Sequence, residues 1–310
     1  MPAVPPAIPD VSPFAARLRA GEVVAFPTET VYGLGADATS SDAVLRIYET
    51  KGRPRFNPLI VHVADLDMAR RLVVFSPLAE TLAAAFWPGP LTLVLPRRPD
   101  SGLSDIVSAG LDTVGVRMPA HPLALALIRA AGVPVAAPSA NPSGRLSPTS
   151  AAQVTAAFEG RVPVLDGGPC RAGVESTILA VTGERVVQLR AGALARDEIE
   201  KAIGRPVERI GAGAAIASPG MMASHYAPDA SLRLDAEAPA PGEAYLAFGD
   251  RPGTLNLSPT GDLREAACNL FAMLHELDAS ARRIAVAPIP AHGLGEAIND
   301  RLRRAAAPKS

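Results

Sequence analysis

Short apolar runs bounded by turn residues recur along the first two-thirds of the chain, and each reads as a buried strand. They are Val23-Val-Ala-Phe26, Leu59-Ile-Val-His-Val63, Leu91-Thr-Leu-Val-Leu-Pro96, Val114-Gly-Val-Arg-Met118, residues 133–136, Val162-Pro-Val-Leu165 and Ser176-Thr-Ile-Leu-Ala-Val181. Between them, apolar positions recur at helical spacing over residues 11–20, 41–50, 68–74, 76–86, 122–131 and 149–158. Gly21 stops the first helix, Ser41 and Asp42 can cap the second, and Trp87-Pro-Gly-Pro90 ends the fourth. Several strands follow one another without an intervening helix. That predicts an α/β domain with a mixed, twisted sheet. Pro27-Thr-Glu-Thr-Val-Tyr-Gly-Leu-Gly35 reads as a loop rich in hydroxyls and glycine.

The pattern changes near Val207. Residues 210–217 are small and flexible in composition, and Ser218-Pro-Gly-Met-Met-Ala-Ser-His-Tyr-Ala-Pro228 is irregular. Beyond it come a strand-like run at 244–248, a long amphipathic helix at 263–277, a second strand at 283–288 and a closing helix at 294–306. This βαβα order predicts a small Rossmann-like α/β C-terminal domain. The expected division is a catalytic domain at 12–207, a linker or lid at 208–231 and an accessory domain at 232–310. The proline-rich residues 1–10 read as an extended arm.

Composition narrows the function. Hydrophobic residues make up 48% of the 310, and aromatics only 4%, so the core must rest on Ala, Val, Leu and Ile. A formal net charge of −1 argues against a general polyanion binder, and any RNA contact would need a local basic patch. Cys170 and Cys268 stand far apart, which argues against a disulfide framework and a cysteine-based zinc site. No run reaches the length of a membrane span, and prolines with Asp10 stand where a secretory leader needs a basic start. The expectation is a soluble cytoplasmic protein.

The sequence has no glycine-rich phosphate loop, no Gly-x-Gly-x-x-Gly after a strand, no His-Glu-x-x-His and no Gly-x-Ser-x-Gly. A bound nucleotide must therefore be held by side chains and irregular turns. In Lys51-Gly-Arg-Pro-Arg-Phe-Asn-Pro-Leu-Ile-Val-His62, the cations Lys51 and Arg53 and the Asn57 amide stand beside a strand. Cations at a helix C-terminus can simply offset the macrodipole. Arg, however, also binds phosphate bidentately while Lys acts as a point charge. Ala137-Pro-Ser-Ala-Asn-Pro-Ser-Gly144 offers hydroxyls and an amide, Thr28-Glu-Thr30 follows a strand, and Arg117 projects from an apolar one. A cation so placed needs an anionic partner from the protein or a ligand. Glu175-Ser-Thr177 and Arg190 repeat the theme, and together these groups suit one anionic site.

Phe26-Pro-Thr-Glu-Thr-Val-Tyr-Gly-Leu34, Lys51-Gly-Arg-Pro54 with Asn57-Pro-Leu-Ile-Val-His62, Trp87-Pro-Gly-Pro-Leu-Thr92 and Ala137-Pro-Ser-Ala-Asn141 together resemble the threonylcarbamoyl-AMP synthase family. Residues 218–228 and Gly295-Glu-Ala-Ile-Asn-Asp-Arg-Leu302 are similar to the linker and accessory domain of its two-domain form. The resemblance implies a YrdC-like catalytic domain that makes L-threonylcarbamoyladenylate and pyrophosphate from L-threonine, bicarbonate or CO2, and ATP with Mg2+. The product would pass to the transferase machinery of tRNA t6A modification, with possible tRNA contact and no membrane role. Carried over by motif, Lys51, Arg53, Ser139 and Asn141 are the expected catalytic residues. Arg53, Asn57, Thr113, Ser139, Ser147, Arg190 and Tyr226 are the expected nucleotide contacts, and Thr30, His62, Arg117, Ala137 and Ser176 the expected threonine contacts. No metal ligands are assigned. Met222-Ala-Ser224 departs from the basic or aromatic residues that the family's linkers often carry, and the linker is expected to close over the site. Two alternatives stay open: an RNA-binding YrdC-like module, and a carbamoyl-transfer enzyme of the hydrogenase-maturation type.

Overall fold

The computed structural model describes residues 9–54, 56–210 and 225–308. Most of the arm expected at 1–10 and the linker residues 211–224 lie outside the described residues, including Met222-Ala-Ser224. Two sheets organise the chain. The first has nine strands in the order Val24–Phe26, Gly33–Asp37, Val135–Ala136, Ile60–His62, Thr113–Arg117, Leu91–Pro96, Thr177–Thr182, Arg185–Arg190 and Glu208–Arg209. The first three pairs along it are antiparallel and the remaining five alternate from parallel to antiparallel, so it is a mixed sheet, as the strand-to-strand connections predict. The second has four strands, Ser231–Arg233, Arg283–Val286, Ala244–Ala247 and Leu255–Asn256, all parallel. With helices Leu263–Ser280 and Gly295–Ala306 it forms the Rossmann-like unit. Among the described residues no helix is long and apolar enough to cross a membrane.

The helix that delivers the first cation is well delimited. The Ser40 side chain accepts the Ala43 N–H at its start. Gly52 ends it in the left-handed region at φ 60°, making Lys51 its last residue. Helix Pro122–Ala131 and helix Pro77–Phe86 likewise fall where the apolar spacing and Pro-led starts put them.

Two local expectations differ, and one strand falls where none was expected. The segment read as a loop through Gly35 enters the sheet as strand Gly33–Asp37, paired with Val24–Phe26. A Cβ at Gly35 would meet Phe26 Cε1 at 2.7 Å and Val135 Cγ1 at 2.8 Å, so this glycine serves close packing rather than a turn. Val162-Pro-Val-Leu165 makes only a single bridge, Val164 to Ala25, because Pro163 interrupts it. Conversely, Arg185–Arg190 is a full strand, joined to Thr177–Thr182 through Gly183 at φ 57°.

The two units share packing. Val31, Leu146 and Val174 belong by sequence to the first, yet they are buried in one apolar cluster with Tyr226, Phe271 and Leu274. Gly173, at φ 72°, lies so close to the long helix that a Cβ would sit 2.2 Å from Ala267 O.

Candidate functional site

Register builds the site. His62 pairs with Arg117 across parallel strands and with Val135 across the antiparallel neighbour, which sets the polar ends of two strands side by side against a third. Gly33 bridges to Ser139, so the loop before strand Gly33–Asp37 and the Ser139 turn converge there too. The result is a cavity of about 50 Å3. Of the residues expected to act, Thr30, Arg53, His62, Arg117, Ala137, Ser139, Ser176, Arg190 and Tyr226 line it, alongside Thr28, Glu175 and His225.

Arg117 sits at the threonine end of the expected assignment. Its NH1 donates to Thr30 Oγ1 at 2.9 Å and its Nε to Gly89 O at 3.3 Å. Its NH2 lies 2.6 Å from Glu29 Oε1, at ion-pair distance but without hydrogen-bond alignment. Glu29 is thus the protein partner that a buried cation demands. His62 packs edge-on to Phe26, ring centroids 6.0 Å apart. Burial, then Arg117 nearby, pushes its pKa down to about 3, so the ring is neutral near pH 7. Its Nδ1 has no hydrogen-bond partner among the described residues. Ser176 shares a 2.8 Å hydroxyl contact with Thr92, and its carbonyl accepts from Arg190 NH2 at 2.9 Å.

At the other end, Arg53 donates through NH2 to Pro58 O at 3.1 Å, and burial lowers its pKa to about 10. Lys51 is fully enclosed. Its Nζ donates to Ser139 O at 2.6 Å and also to Asn141 O. Burial, then Arg53, holds its pKa well below the usual lysine range. Asn141 donates its amide to Pro142 O and Arg145 O, leaving Oδ1 without a partner among the described residues.

Lys51, Asn57, Thr113, Asn141 and Ser147 stand outside the cavity lining. Lys51 and Asn141 back the Ser139 turn. Ser147 is buried and donates to Glu175 Oε1 at 2.6 Å. Asn57 is buried beside Arg53, whose Nε reaches its carbonyl at 3.4 Å. Thr113 lies two residues beyond Gly115, on the same face of its strand as Arg117 and toward the opposite end.

Two residues absent from the sequence-based assignment hold this region together. Glu175 accepts from Ser147 and, through Oε2, from Arg301 Nε at 2.7 Å. Burial alone would raise its pKa, but Arg301 and then Arg190 hold it down to about 2. Arg301, on helix Gly295–Ala306, is 0% exposed. Its signal in the sequence is a cation one helical turn from Ala297, Ile298 and Ala305, on the apolar face.

Two family models match the chain. Residues 16–192 match the one described as telomere recombination, and residues 194–307 match the threonylcarbamoyl-AMP synthase C-terminal domain. The threonylcarbamoyl-AMP synthase of Bacillus subtilis is 44% identical over 325 residues, covering 96% of this chain and 93% of the relative. That of Pyrococcus abyssi is 42% identical over 317 residues, covering 94% and 92%. The crystal structure of P. abyssi Sua5 complexed with L-threonine superposes with a TM-score of 0.87 at 41% identity, covering 96% of this chain and 94% of that one.

Proposed function

The chain belongs to the threonylcarbamoyl-AMP synthase family, an ATP-using nucleotidyltransferase family, and we propose that the cavity lined by Arg53, Arg117 and Arg190 is where it joins L-threonine, CO2 and ATP. The observation that carries this is the convergence of three buried guanidiniums with His62, Thr30 and Ser176 in one enclosed space. Threonine's amine adds to CO2, formed from bicarbonate where that is the source, and releases a proton to give a carbamate. A carbamate oxygen then attacks the α-phosphorus of ATP. A new P–O bond forms, the bond to the β-phosphate oxygen breaks, and pyrophosphate leaves.

Within the proposal, Arg117 and Thr30 take the threonine carboxylate, with Glu29 behind Arg117 fixing its fork. Neutral His62 offers a ring nitrogen to threonine beside Ala137 and Ser176. Lys51, Arg53, Asn57, Ser139, Asn141 and Arg190 oppose the charge of the triphosphate, and Thr113, Ser147 and Tyr226 complete the nucleotide contacts. Fixed cations in a dry site stabilise a charge-rich transition state without reorganising, which suits phosphoryl chemistry with no covalent protein intermediate.

Mg2+ would arrive with ATP. Among the described residues no three His, Cys, Asp or Glu side chains are grouped to hold a metal. The orphaned Asn141 Oδ1 is a hard oxygen that fits the ion, with phosphate and water oxygens as its other ligands. Bound there, it would neutralise phosphate charge. The division into catalytic, linker and accessory segments at 207 and 231, a cytoplasmic location and delivery of the product to the tRNA t6A transferase machinery complete the proposal. Mass spectrometry of products from ATP, threonine and bicarbonate tests it, each component omitted in turn. Threonylcarbamoyl-AMP should form only in the complete mixture. AMP or ADP formed regardless of threonine would reject the assignment.

A further inference from the structure

Among the described residues Arg301 is the largest fully buried side chain; it comes from the last helix, yet it ends beside the cavity. Its Nε reaches Glu175 Oε2 at 2.7 Å, NH1 reaches Asp300 Oδ2 at 2.6 Å, and NH2 reaches Ala191 O at 3.0 Å. The flat face of the same guanidinium lies 5.1 Å from the centroid of the Tyr226 ring. Ser147, Glu175, Arg301 and Tyr226 therefore form one continuous chain of contacts. It crosses from the catalytic segment through the C-terminal helix to the end of the linker.

Each contact has a physical purpose. The Glu175 carboxylate holds the Ser147 hydroxyl in one orientation and would itself be unstable in so enclosed a place without a cation. Tyr226 has a left-handed backbone, φ 60°, which a tyrosine adopts only when its surroundings compel it. The ring is compelled from three sides: Phe271 at 5.6 Å, His225 at 4.1 Å and the Arg301 face. Arg suits both tasks at once, because a planar fork bonds in its plane and stacks on its face. Lysine could do one or the other.

We infer that Arg301 is a positioning residue for nucleotide binding, fixing Ser147 through Glu175 and the ring of Tyr226 by stacking. The inference rests on the function proposed above, in which Ser147 and Tyr226 face the nucleotide. It gives the C-terminal domain a role at the site although none of its side chains need touch substrate.

Steady-state kinetics of the full-length chain test it, with Arg301→Met, Arg301→Lys, Tyr226→Ala and the Arg301→Met/Tyr226→Ala pair. Loss of binding common to ground and transition states raises KM and spares kcat. Arg301→Met should therefore raise KM for ATP about tenfold or more, while KM for threonine and kcat stay within about threefold. Arg301→Lys should recover part of the loss. In the Tyr226→Ala background, Arg301→Met should raise KM for ATP by less than half as much, since one of its two targets is gone. A purely architectural arginine predicts equal losses for both substrates and full additivity, and either result overturns the inference. So does an unchanged KM for ATP. If Arg301→Met does not fold, as judged by circular dichroism, Arg301→Lys decides: a raised KM for ATP alone supports the inference, and wild-type values overturn it. A wild-type chain that forms no threonylcarbamoyl-AMP overturns the premise and the inference together. An active wild type with indifferent variants overturns only the inference.

Discussion

Arg117 shows how a side chain acquires its chemistry here. The sequence demanded an anionic partner for a cation inside an apolar strand, and the fold supplies Glu29 from a loop 88 positions earlier in the chain. Lys51 and Arg53 are just as enclosed, with Lys51 Nζ committed to the carbonyls of the Ser139 turn. Lys51→Ala or Arg53→Ala should cut threonine- and bicarbonate-dependent pyrophosphate release by about a hundredfold or more. Circular dichroism should show the fold retained, and full activity in either variant would reject the assignment. Histidine titration gives a second test. His62 and His225 are both held neutral by burial, with pKa values pushed down to about 3. The folded state therefore favours the neutral ring, and this contribution is complete above pH 6.5. As pH falls from 6.5 towards 3, the unfolded chain takes up protons that the folded chain refuses, and stability drops by up to about 1.4 kcal/mol per pH unit per histidine. Melting temperature should fall between pH 7.5 and 5, before the carboxylate of Glu175, held down to about 2, begins to contribute below pH 4.5. A flat profile over that range would contradict the buried neutral rings.

At the scale of elements, positions matter through what they aim. The Gly33–Asp37 strand needs glycine at 35 so that Phe26 and Val135 can close over it, and the Phe26 ring in turn abuts His62. Gly35→Ala should cost about 1–3 kcal/mol by overpacking and raise KM for threonine, read by denaturant titration and kinetics. Loss of neither would sink this account. The same segment marks what the sequence could and could not reveal. Apolar runs such as Leu91–Pro96 and helical spacing such as Pro122–Ala131 were legible because burial on one face fixes their period. Gly33-Leu-Gly-Ala-Asp37 was not, since its glycines answer to neighbours distant in sequence, and Arg185–Arg190 lacks a clean alternation. The cavity's cations were readable from motifs. Glu175 and Arg301 were harder, because only the tertiary fold brings residues 126 positions apart to 2.7 Å.

For the whole molecule, the second domain is part of the first domain's interior. Val31, Leu146 and Val174 are buried in its apolar cluster, and Tyr226 lines the cavity from that side with Arg301 stacked on its ring. Residues 1–207 alone should therefore expose apolar surface, melt lower and turn over far more slowly than the full chain. Wild-type turnover from that fragment would remove the second domain from the reaction. The cavity itself carries a final consequence. At about 50 Å3 it falls well short of the roughly 300–1,000 Å3 of ordinary ligand pockets, and Lys51 Nζ is already bonded to the protein's own carbonyls. Under the proposed function, ATP would compete with these internal bonds for admission, so its apparent affinity would be the intrinsic one scaled by the fraction of molecules already parted. A variant that loosens the enclosure can then bind nucleotide more tightly while guarding its labile product less well.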